Sequence, residues 1–341
     1  MVKKFVYGTP FETEAVVKEI PSSEGNPDYG TFSTENGFSF TTKLADEDMV
    51  FGLGEANRGI NKRGFLYISD CADDPNHVES KTSLYAAHNF IIISGKTHVG
   101  FFFDYPGTLR FDIGYTTSDT MTVSCENADL YVYMITGDSD LDIVKQFRGI
   151  IGRSYIAPKF AFGYGQSRWG YKTEDDFRTV VKKYRENHVP LDMVYMDIDY
   201  MQDYKDFTVN EERFPDFEGF VQDMKKEKIH LVPIIDAGVK VEEGYDIYEE
   251  GCEKGYFCRR EDGSYFEATV WPGWTHFPDV LNADARKWFG DKYDVLVSKG
   301  IDAFWNDMNE PSIFYSQEGL ADFKETAKKY VEGDPEVPHF M

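Results

Sequence analysis

Residues 300–312 combine a short apolar run with a dense group of carboxyl and amide side chains. The segment Ile301 to Trp305 is mostly apolar, and the residues that follow it read NDMNE, with Asp307 as the second. A buried parallel strand ends in this way when it delivers polar groups to a pocket at its C-terminal end. Because polar groups are costly to bury without a role or a partner, the segment predicts carboxylates that take part in chemistry.

Earlier segments end in the same manner. A strand-like segment from Phe160 leads to Trp169, one from Met193 leads to Asp197 and Asp199, and one from Ile229 ends at Asp236. Two residues of spacing would place Asp197 and Asp199 on one side of a regular strand. Any one aspartate here could equally cap a loop. Since parallel strands present catalytic residues at their C-terminal ends, the repeated pattern predicts a shared site.

The carboxylates are compatible with two kinds of chemistry. They could hold a divalent metal through oxygen ligands, or they could carry out glycoside hydrolysis, which needs two carboxyl groups beside the scissile bond. Tryptophans near the strand ends favour a sugar, because flat rings pack against a pyranose; they are Trp169, Trp271, Trp274 and Trp305. Each of them alone could be a core residue. No Cys and His spacing suggests zinc, and no metal or organic cofactor is implied.

The elements that must position these residues fall into two regions. Residues 1–137 predict an antiparallel β-sandwich, because short Phe, Tyr, Val, Ile and Thr segments recur between turns. Residues 138–156 predict a helical linker. From 157 to 341 strands alternate with helices, which indicates parallel β/α structure. A closed eight-stranded barrel needs roughly 250 residues, so this region is either a small open sheet or the first half of a (β/α)8 TIM barrel that ends before closing. The loop-like EGDPEVPHFM terminus favours the half-barrel.

The composition limits which partners the protein is expected to bind. The 341 residues carry a net charge of −24, which argues against nucleic acid and against an anionic membrane surface. The first residues lack the apolar part of a signal peptide, and there is no apolar run of about 18 residues. The sequence therefore predicts a cytoplasmic protein without a membrane contact. Four cysteines without a CxxC pair predict reduced thiols.

The string GIDAFWNDMNEPS at 300–312 resembles the nucleophile signature of glycoside hydrolase family 31, the α-glucosidase family. Segments 157–171, 190–217 and 229–238 resemble the family's first three barrel strands, and 281–299 resembles the helix before the fourth. Ala237-Gly238 departs from the more usual Pro-Gly or Pro-His. The resemblance is strong over 157–312 and loose over the sandwich, and it implies a bacterial-type α-glucosidase.

The resemblance also implies roles for individual residues. Asp307 would be the catalytic nucleophile of a retaining mechanism, and it would form a covalent glycosyl-aspartate. Asp197 would bind hydroxyl groups of the terminal, non-reducing glucose of an α-gluco-oligosaccharide. Asp73, in the sandwich loop 69–75, would reach the same site. Six residues would form the walls of the sugar pocket: Trp169, Ile198, Ile235, Trp271, Trp305 and Met308.

One catalytic group that the family requires has no match in this sequence. The family's general acid/base lies later in the barrel, and no residue of 1–341 matches it. The expectation is that the acid/base is not in this chain, that a C-terminal part completes a larger enzyme, and that 1–341 is inactive alone. Alternatives are an α-xylosidase, a transglycosylase or a lyase with the same intermediate, although Trp-x-Asp-Met at 305–308 is typical of α-glucosidases. A non-catalytic carbohydrate-binding protein is the alternative from another class. Whether the protein forms homo-oligomers is left open.

Overall fold

The computed structural model describes residues 1–71 and 77–316. The chain divides into two compact units, Met1–Tyr155 and Ile156–Met341. The first unit contains ten strands and one helix among the described residues. They are β1 (Val2–Tyr7), β2 (Thr31–Ser33), β3 (Phe38–Lys43), β4 (Met49–Gly52), β5 (Phe65–Ser69), β6 (Phe90–Ser94), β7 (His98–Asp104), β8 (Leu109–Ile113), β9 (Thr120–Cys125), β10 (Leu130–Gly137) and α1 (Asp140–Ile151).

The strands of the first unit form two five-stranded sheets, in the orders β1-β10-β7-β6-β4 and β2-β3-β9-β8-β5, and all the neighbours pair antiparallel. Alternate residues point into the core, as Met121, Val123 and Cys125 of β9 do. Phe40, Phe101 and Phe103 are fully buried among them. The predicted β-sandwich is therefore confirmed.

Helix α1 packs on the outer face of the first sheet. Ser139 caps its first turn by accepting a hydrogen bond from the Asp142 N–H, as expected for an N-terminal serine. Ile143 and Ile150 are buried with the sheet residues Ile92 and Ile135, and α1 therefore lies within the first unit. The helix in the segment predicted as a linker is held by this apolar contact.

The second unit mixes short strands with helices. They are β11 (Gly165–Gln166), α2 (Glu174–Glu186), β12 (Met193–Met196), α3 (Phe217–Lys226), β13 (His230–Asp236), β14 (Val239–Lys240), α4 (Asp246–Lys254), β15 (Glu267–Val270), β16 (Gly273–His276), α5 (Ala283–Lys292), α6 (Asp294–Val297), β17 (Trp305–Asp307) and β18 (Tyr315–Ser316). Two 3-10 helices cover Lys159–Phe162 and Ile198–Tyr200.

Strands β11, β12, β13 and β17 form one parallel sheet in that order. Helices lie between successive strands, and their apolar faces cover the sheet; Phe177 of α2 and Phe220 of α3 are buried in its core. Thr173 starts α2 with a complete capping box to Asp176. Successive β/α units in one parallel sheet are half of a TIM barrel, and this part of the predicted fold is confirmed.

Three predicted strands have different bounds. The expected strand from Phe160 to Gly165 is wrong, because Lys159–Phe162 forms a 3-10 helix and only Gly165–Gln166 pairs. The second strand was expected to run from Met193 to Ile198, but it ends at Met196. The fourth strand was expected at 301–305 and is instead Trp305–Asp307. Apolar character predicted the burial of Met193, Val194 and Met196 correctly, but Phe162 and Tyr164 of the first segment are exposed. Strand pairing depends on the neighbouring backbone, which sequence periodicity does not contain.

A small antiparallel sheet, in the order β14-β16-β15-β18, was not predicted. Its β15–β16 hairpin turns through Trp271 and Pro272, and Gly273 adopts φ +99°, a conformation open to glycine. Strand β18 then pairs with β15, so the segment after Asp307 returns to this hairpin. The sheet is missed because its strands are only two to four residues long.

Candidate active site

Asp307 and Asp236 are register partners on neighbouring parallel strands. The pairing of β13 with β17 aligns Ile234 with Trp305 and Asp236 with Asp307. Paired residues of a parallel sheet point to the same face, so both carboxyl groups lie on one side of the sheet at its C-terminal end. Asp307 is half-buried, whereas Asp236 is only 3% exposed.

Asp197 lies at the end of the next strand. Strand β12 stops at Met196, and Asp197 caps the following 3-10 helix, with Oδ1 accepting the Ile198 N–H at 2.7 Å. Burial raises the pKa of Asp197, and the charges of Asp199 and Asp307 raise it further, whereas the hydrogen bond from Ile198 opposes the shift. The electrostatic effect of Asp307 indicates that the two strand ends share one site.

The Asp307 carboxylate is oriented in the same way. Its Oδ1 accepts the Met308 N–H at 2.9 Å. Met308 has φ +56°, a backbone conformation that is costly for a residue with a side chain. Met308 is buried with Ala268, Val270 and Phe277, and this packing holds the turn that presents Asp307.

Asp236 is the most deeply buried of these three aspartates. Burial raises its pKa to about 7, with further contributions from the charges of Asp307 and Asp197. Its Oδ1 is buried and has no hydrogen-bond partner among the described residues. Together with Asp206, which is described next, these three aspartates form a group that we call the carboxyl row.

Asp206 was not predicted from the sequence. It is 1% exposed, and its Oδ1 accepts the Asp236 N–H at 3.1 Å. Burial raises its pKa well above the ordinary value, and the charge of Asp236 adds to the shift. In the sequence it is one of several acidic residues of a loop, and only the folding of that loop against β13 distinguishes it.

The expectation that Asp197 and Asp199 share one side of a regular strand is wrong, because the strand ends before them. Asp199 is only 1% exposed and belongs to a separate ion pair. Its Oδ1 lies 3.4 Å from Arg213 Nη1, and its Oδ2 lies 3.9 Å from Lys172 Nζ. Asp199 therefore supports the loop after Asp197.

Two predicted wall residues, Trp305 and Trp271, lie in β17 and at the hairpin turn. Trp305, in β17, is partly buried with its ring edge-on to Tyr195 at 6.0 Å. Trp271, at the hairpin turn, is 39% exposed and lies edge-on to Phe314 at 4.9 Å between ring centres. The Phe314 N–H donates to the Thr269 carbonyl at 2.9 Å. These contacts, with those of Met308, join the hairpin to the end of β17.

Other predicted site residues lie apart or in the core. Trp169 is exposed, and its described contact is with Lys172, whose Nζ lies 6.0 Å from the ring centre. Ile198 and Ile235 are buried in the main core of the second unit. Asp73 lies outside the described residues.

Across residues 1–71 and 77–316, no three His, Cys, Asp or Glu side chains converge as a group able to hold a metal ion. Within the same ranges, no helix has the length and apolar character needed to cross a membrane. Cys252 and Cys258 are thiols and not a disulfide pair.

Comparison with known protein families gave two matches. A family model described as the glycosyl hydrolases family 31 TIM-barrel domain matches residues 154–336. A second, described as the glycosyl hydrolase 31 N-terminal galactose mutarotase-like domain, matches residues 11–112.

Among curated proteins, alpha-glucosidase 2 of Bacillus thermoamyloliquefaciens is 38% identical over 277 residues, which cover 80% of this chain and 35% of the relative. An alpha-glucosidase of Saccharolobus solfataricus is 28% identical over 318 residues, which cover 92% of this chain and 46% of that protein. The chain thus spans less than half the length of either relative.

Solved structures agree in fold. A GH31 dextranase of Flavobacterium johnsoniae complexed with glucose has a TM-score of 0.75 at 21% identity, covering 89% of this chain and 40% of that chain. An ER glucosidase II complex of a catalytic subunit with the binding domain of a regulatory subunit has a TM-score of 0.72 at 24% identity, covering 86% of this chain and 37% of that chain.

Proposed function

Since the chain belongs to glycosyl hydrolase family 31, we propose that it carries the nucleophile and part of the glucose pocket of a retaining α-glucosidase. The substrate is an oligosaccharide with a terminal, non-reducing α-linked glucose. The observation that carries the proposal is the meeting of Asp197, Asp236 and Asp307 at one end of the parallel sheet. The alpha-glucosidase names of two relatives support the substrate class.

Asp307 suits the role of nucleophile. Its Oδ1 is held by the Met308 N–H, and its Oδ2 has no hydrogen-bond partner among the described residues. That oxygen attacks the anomeric carbon while the glycosidic C–O bond breaks and the leaving oxygen takes a proton from an acid. Water then attacks the same carbon, gives up a proton, and releases glucose and the Asp307 carboxylate.

Asp197 suits the recognition of glucose hydroxyls. Its Oδ1 is used by the Ile198 N–H, and its Oδ2 is not hydrogen-bonded in the described part of the chain. A carboxylate oxygen fixed in this way accepts strong hydrogen bonds from hydroxyl groups. The rings of Trp271 and Trp305 provide apolar area for the sugar.

The proton donor is proposed to lie outside residues 1–341. Asp236 has a raised pKa, as an acid would need, but it is deeply buried and on the same face of the sheet as Asp307. A retaining mechanism needs the acid beside the leaving group, with the two carboxyls about 5–5.5 Å apart across the scissile bond. We therefore propose that 1–341 alone does not turn over substrate.

Covalent labelling tests the proposal. The full-length product of the gene is treated with a fluorinated α-glucosyl inactivator, digested and mapped by mass spectrometry. Label on the peptide that contains Asp307 is expected, with loss of hydrolysis of an aryl α-glucoside. Label on a different residue, or hydrolysis of the α-xyloside in preference to the α-glucoside, would contradict it. Hydrolysis by the 1–341 chain is measured in parallel. Turnover by that chain alone would contradict the proposal that the proton donor lies outside residues 1–341.

A further inference from the structure

We infer that Asp236 is a positioning residue that carries a proton in the resting enzyme, and that this proton allows Asp307 to remain ionised beside it. The inference rests on the proposed function for the meaning of Asp307. It concerns a residue that does not touch the sugar, and it assigns a state to a carboxyl group that the proposed reaction leaves unused.

The first argument is the register of the strands. Asp236 and Asp307 are Cα partners in neighbouring parallel strands, and such strands lie about 4.8 Å apart. When two carboxyl groups project from paired positions, the ionisation of either one raises the cost of ionising the other. Ionisation costs more for the more deeply buried group. Asp236 is 3% exposed and Asp307 is half-buried, so the proton belongs to Asp236.

The second argument is the charge of the surroundings. Asp307 faces Asp236 from β17, Asp197 faces it from the end of β12, and Asp206 faces it from the loop after the 3-10 helix. No lysine, arginine or histidine contacts its carboxyl group in the part of the chain that the structure describes. An ionised Asp236 would therefore be buried beside the carboxyl groups of Asp307 and Asp197 without a cation.

The third argument concerns the hydrogen bonds around Asp236. Asp206 accepts the backbone N–H of Asp236. The hydroxyl of Tyr200, which also faces Asp236, donates to the Ile234 carbonyl at 2.8 Å, and that of Tyr245 donates to the Asp206 carbonyl at 2.8 Å. These hydroxyls are thus engaged elsewhere and do not stabilise a charged Asp236. Its buried Oδ1, which lacks a partner among the described residues, is able to hold the proton.

The consequence is a dependence on pH. The pKa of Asp236 is raised to about 7 by burial and by Asp307 and Asp197. Below that pH the carboxyl row has one fewer negative charge than it has above that pH. Above it, ionisation of Asp236 adds repulsion to Asp307 and Asp197, and the ordered arrangement of the two carboxylates is lost. Activity should therefore fall on the alkaline side as Asp236 ionises.

The test compares Asp236→Asn with the unaltered full-length product of the gene. Asparagine has the shape of a neutral aspartic acid and cannot ionise. We expect Asp236→Asn to keep kcat/KM within about threefold below pH 6, because the amide reproduces the neutral form of the acid. The variant should also lack the part of the alkaline decline that Asp236 causes. Asp236→Leu, which offers no polar group, should lower kcat/KM by roughly 10- to 100-fold. Asp104→Asn, a buried aspartate of the first unit, is the matched control.

Two results would overturn the inference. One is a pH profile of Asp236→Asn that superimposes on that of the unaltered enzyme; the other is a folded Asp236→Asn enzyme with activity as low as Asp236→Leu at every pH, since that would mean that the charge is required. Infrared spectroscopy of the 1–341 chain gives a readout without turnover. A protonated carboxyl band that disappears in Asp236→Asn is expected near neutral pH, and its absence contradicts the proton. If the unaltered enzyme does not act on glucosides, the proposed function fails while this band still tests Asp236.

Discussion

One nitrogen of Arg213 contacts Asp199 at two atoms: Nη1 donates to the Asp199 carbonyl at 2.8 Å and lies 3.4 Å from the Asp199 Oδ1. Asp199 is almost fully buried, whereas the Arg213 side chain is 36% exposed. This pair fastens the loop after Asp197 to the segment that leads into α3. It therefore connects a feature of the fold to the position of a proposed binding residue.

Replacing Arg213 with Met should destabilise the second unit. The change leaves a buried carboxylate with Lys172 at 3.9 Å as its remaining described cation, and the loss of one partner of such a pair costs about 2 kcal/mol after allowing for the exposure of the arginine. All five tryptophans lie in the second unit, so urea unfolding followed by tryptophan fluorescence reports on it. In the double variant Asp199→Asn/Arg213→Met, part of the stability should return. A single variant as stable as the unaltered chain would show that the pair contributes nothing.

Asp307→Asn should abolish turnover without affecting folding. The amide cannot attack the anomeric carbon, and the loss of a nucleophile lowers kcat by at least about a thousandfold. The measurement is hydrolysis of an aryl α-glucoside by the full-length product of the gene, with circular dichroism as a check on folding. The neighbouring Asn306→Asp serves as a control in the same strand, with an expected change of less than tenfold. Undiminished turnover by Asp307→Asn is the result that the proposed function does not survive.

Trp271→Ala should weaken substrate binding more than it weakens the fold. The side chain is 39% exposed at a hairpin turn, so its removal costs the sugar a stacking surface worth about 1 kcal/mol, which is roughly fivefold in KM. Trp288→Phe is the matched variant, because Trp288 is 6% exposed and packs against Phe257 in the core. For Trp288→Phe we expect a lower unfolding midpoint and an unchanged KM. The reverse pattern would place the sugar elsewhere.

Asp104→Asn should stabilise the first unit at neutral pH. Burial raises the pKa of Asp104 above its ordinary value, and the Thr13 hydroxyl, which donates to Asp104 at 2.6 Å, opposes the shift. Between the unfolded and the folded pKa of Asp104, the folded chain therefore holds a proton on this residue that the unfolded chain has lost. The stability that this proton provides is fully present below the unfolded pKa of about 3.9 and is lost as the pH rises through the folded pKa. Asparagine removes that dependence, which hydrogen exchange of peptides from β7 and β10 would measure.

In the same sandwich, Asp112→Asn serves as a control whose effect on stability has the opposite sign. Burial opposes the ionisation of Asp112, but hydrogen bonds from Thr116 and Tyr115 outweigh it and hold its pKa below the ordinary value. Its contribution is therefore present at neutral pH and lost as the pH falls through the folded pKa. This variant should be less stable at neutral pH. Equal responses of the two variants to pH would contradict both assignments.

The sequence was a good guide wherever a local pattern determines the outcome. Short Phe, Tyr, Val, Ile and Thr segments between turns predicted the sandwich, and the alternation of strands with helices predicted the parallel sheet. The bounds of the barrel strands were less accurate, since a two-residue strand such as β11 has no periodicity to read. The roles assigned to Asp307 and Asp197 came from a resemblance to a family, and they remain proposals for this chain.

By itself, the sequence determined the order of the two kinds of structure, the family, and the position of Asp307 after an apolar segment, because these depend on residue types along a continuous stretch of chain. Only the tertiary structure decided that Asp236 pairs with Asp307, that Asp206 binds the backbone of Asp236, and that Asp199 turns away to Arg213. Strand register and burial depend on contacts between residues far apart in the chain. The charge that each aspartate carries depends on those same contacts, and it cannot be read from residue type alone.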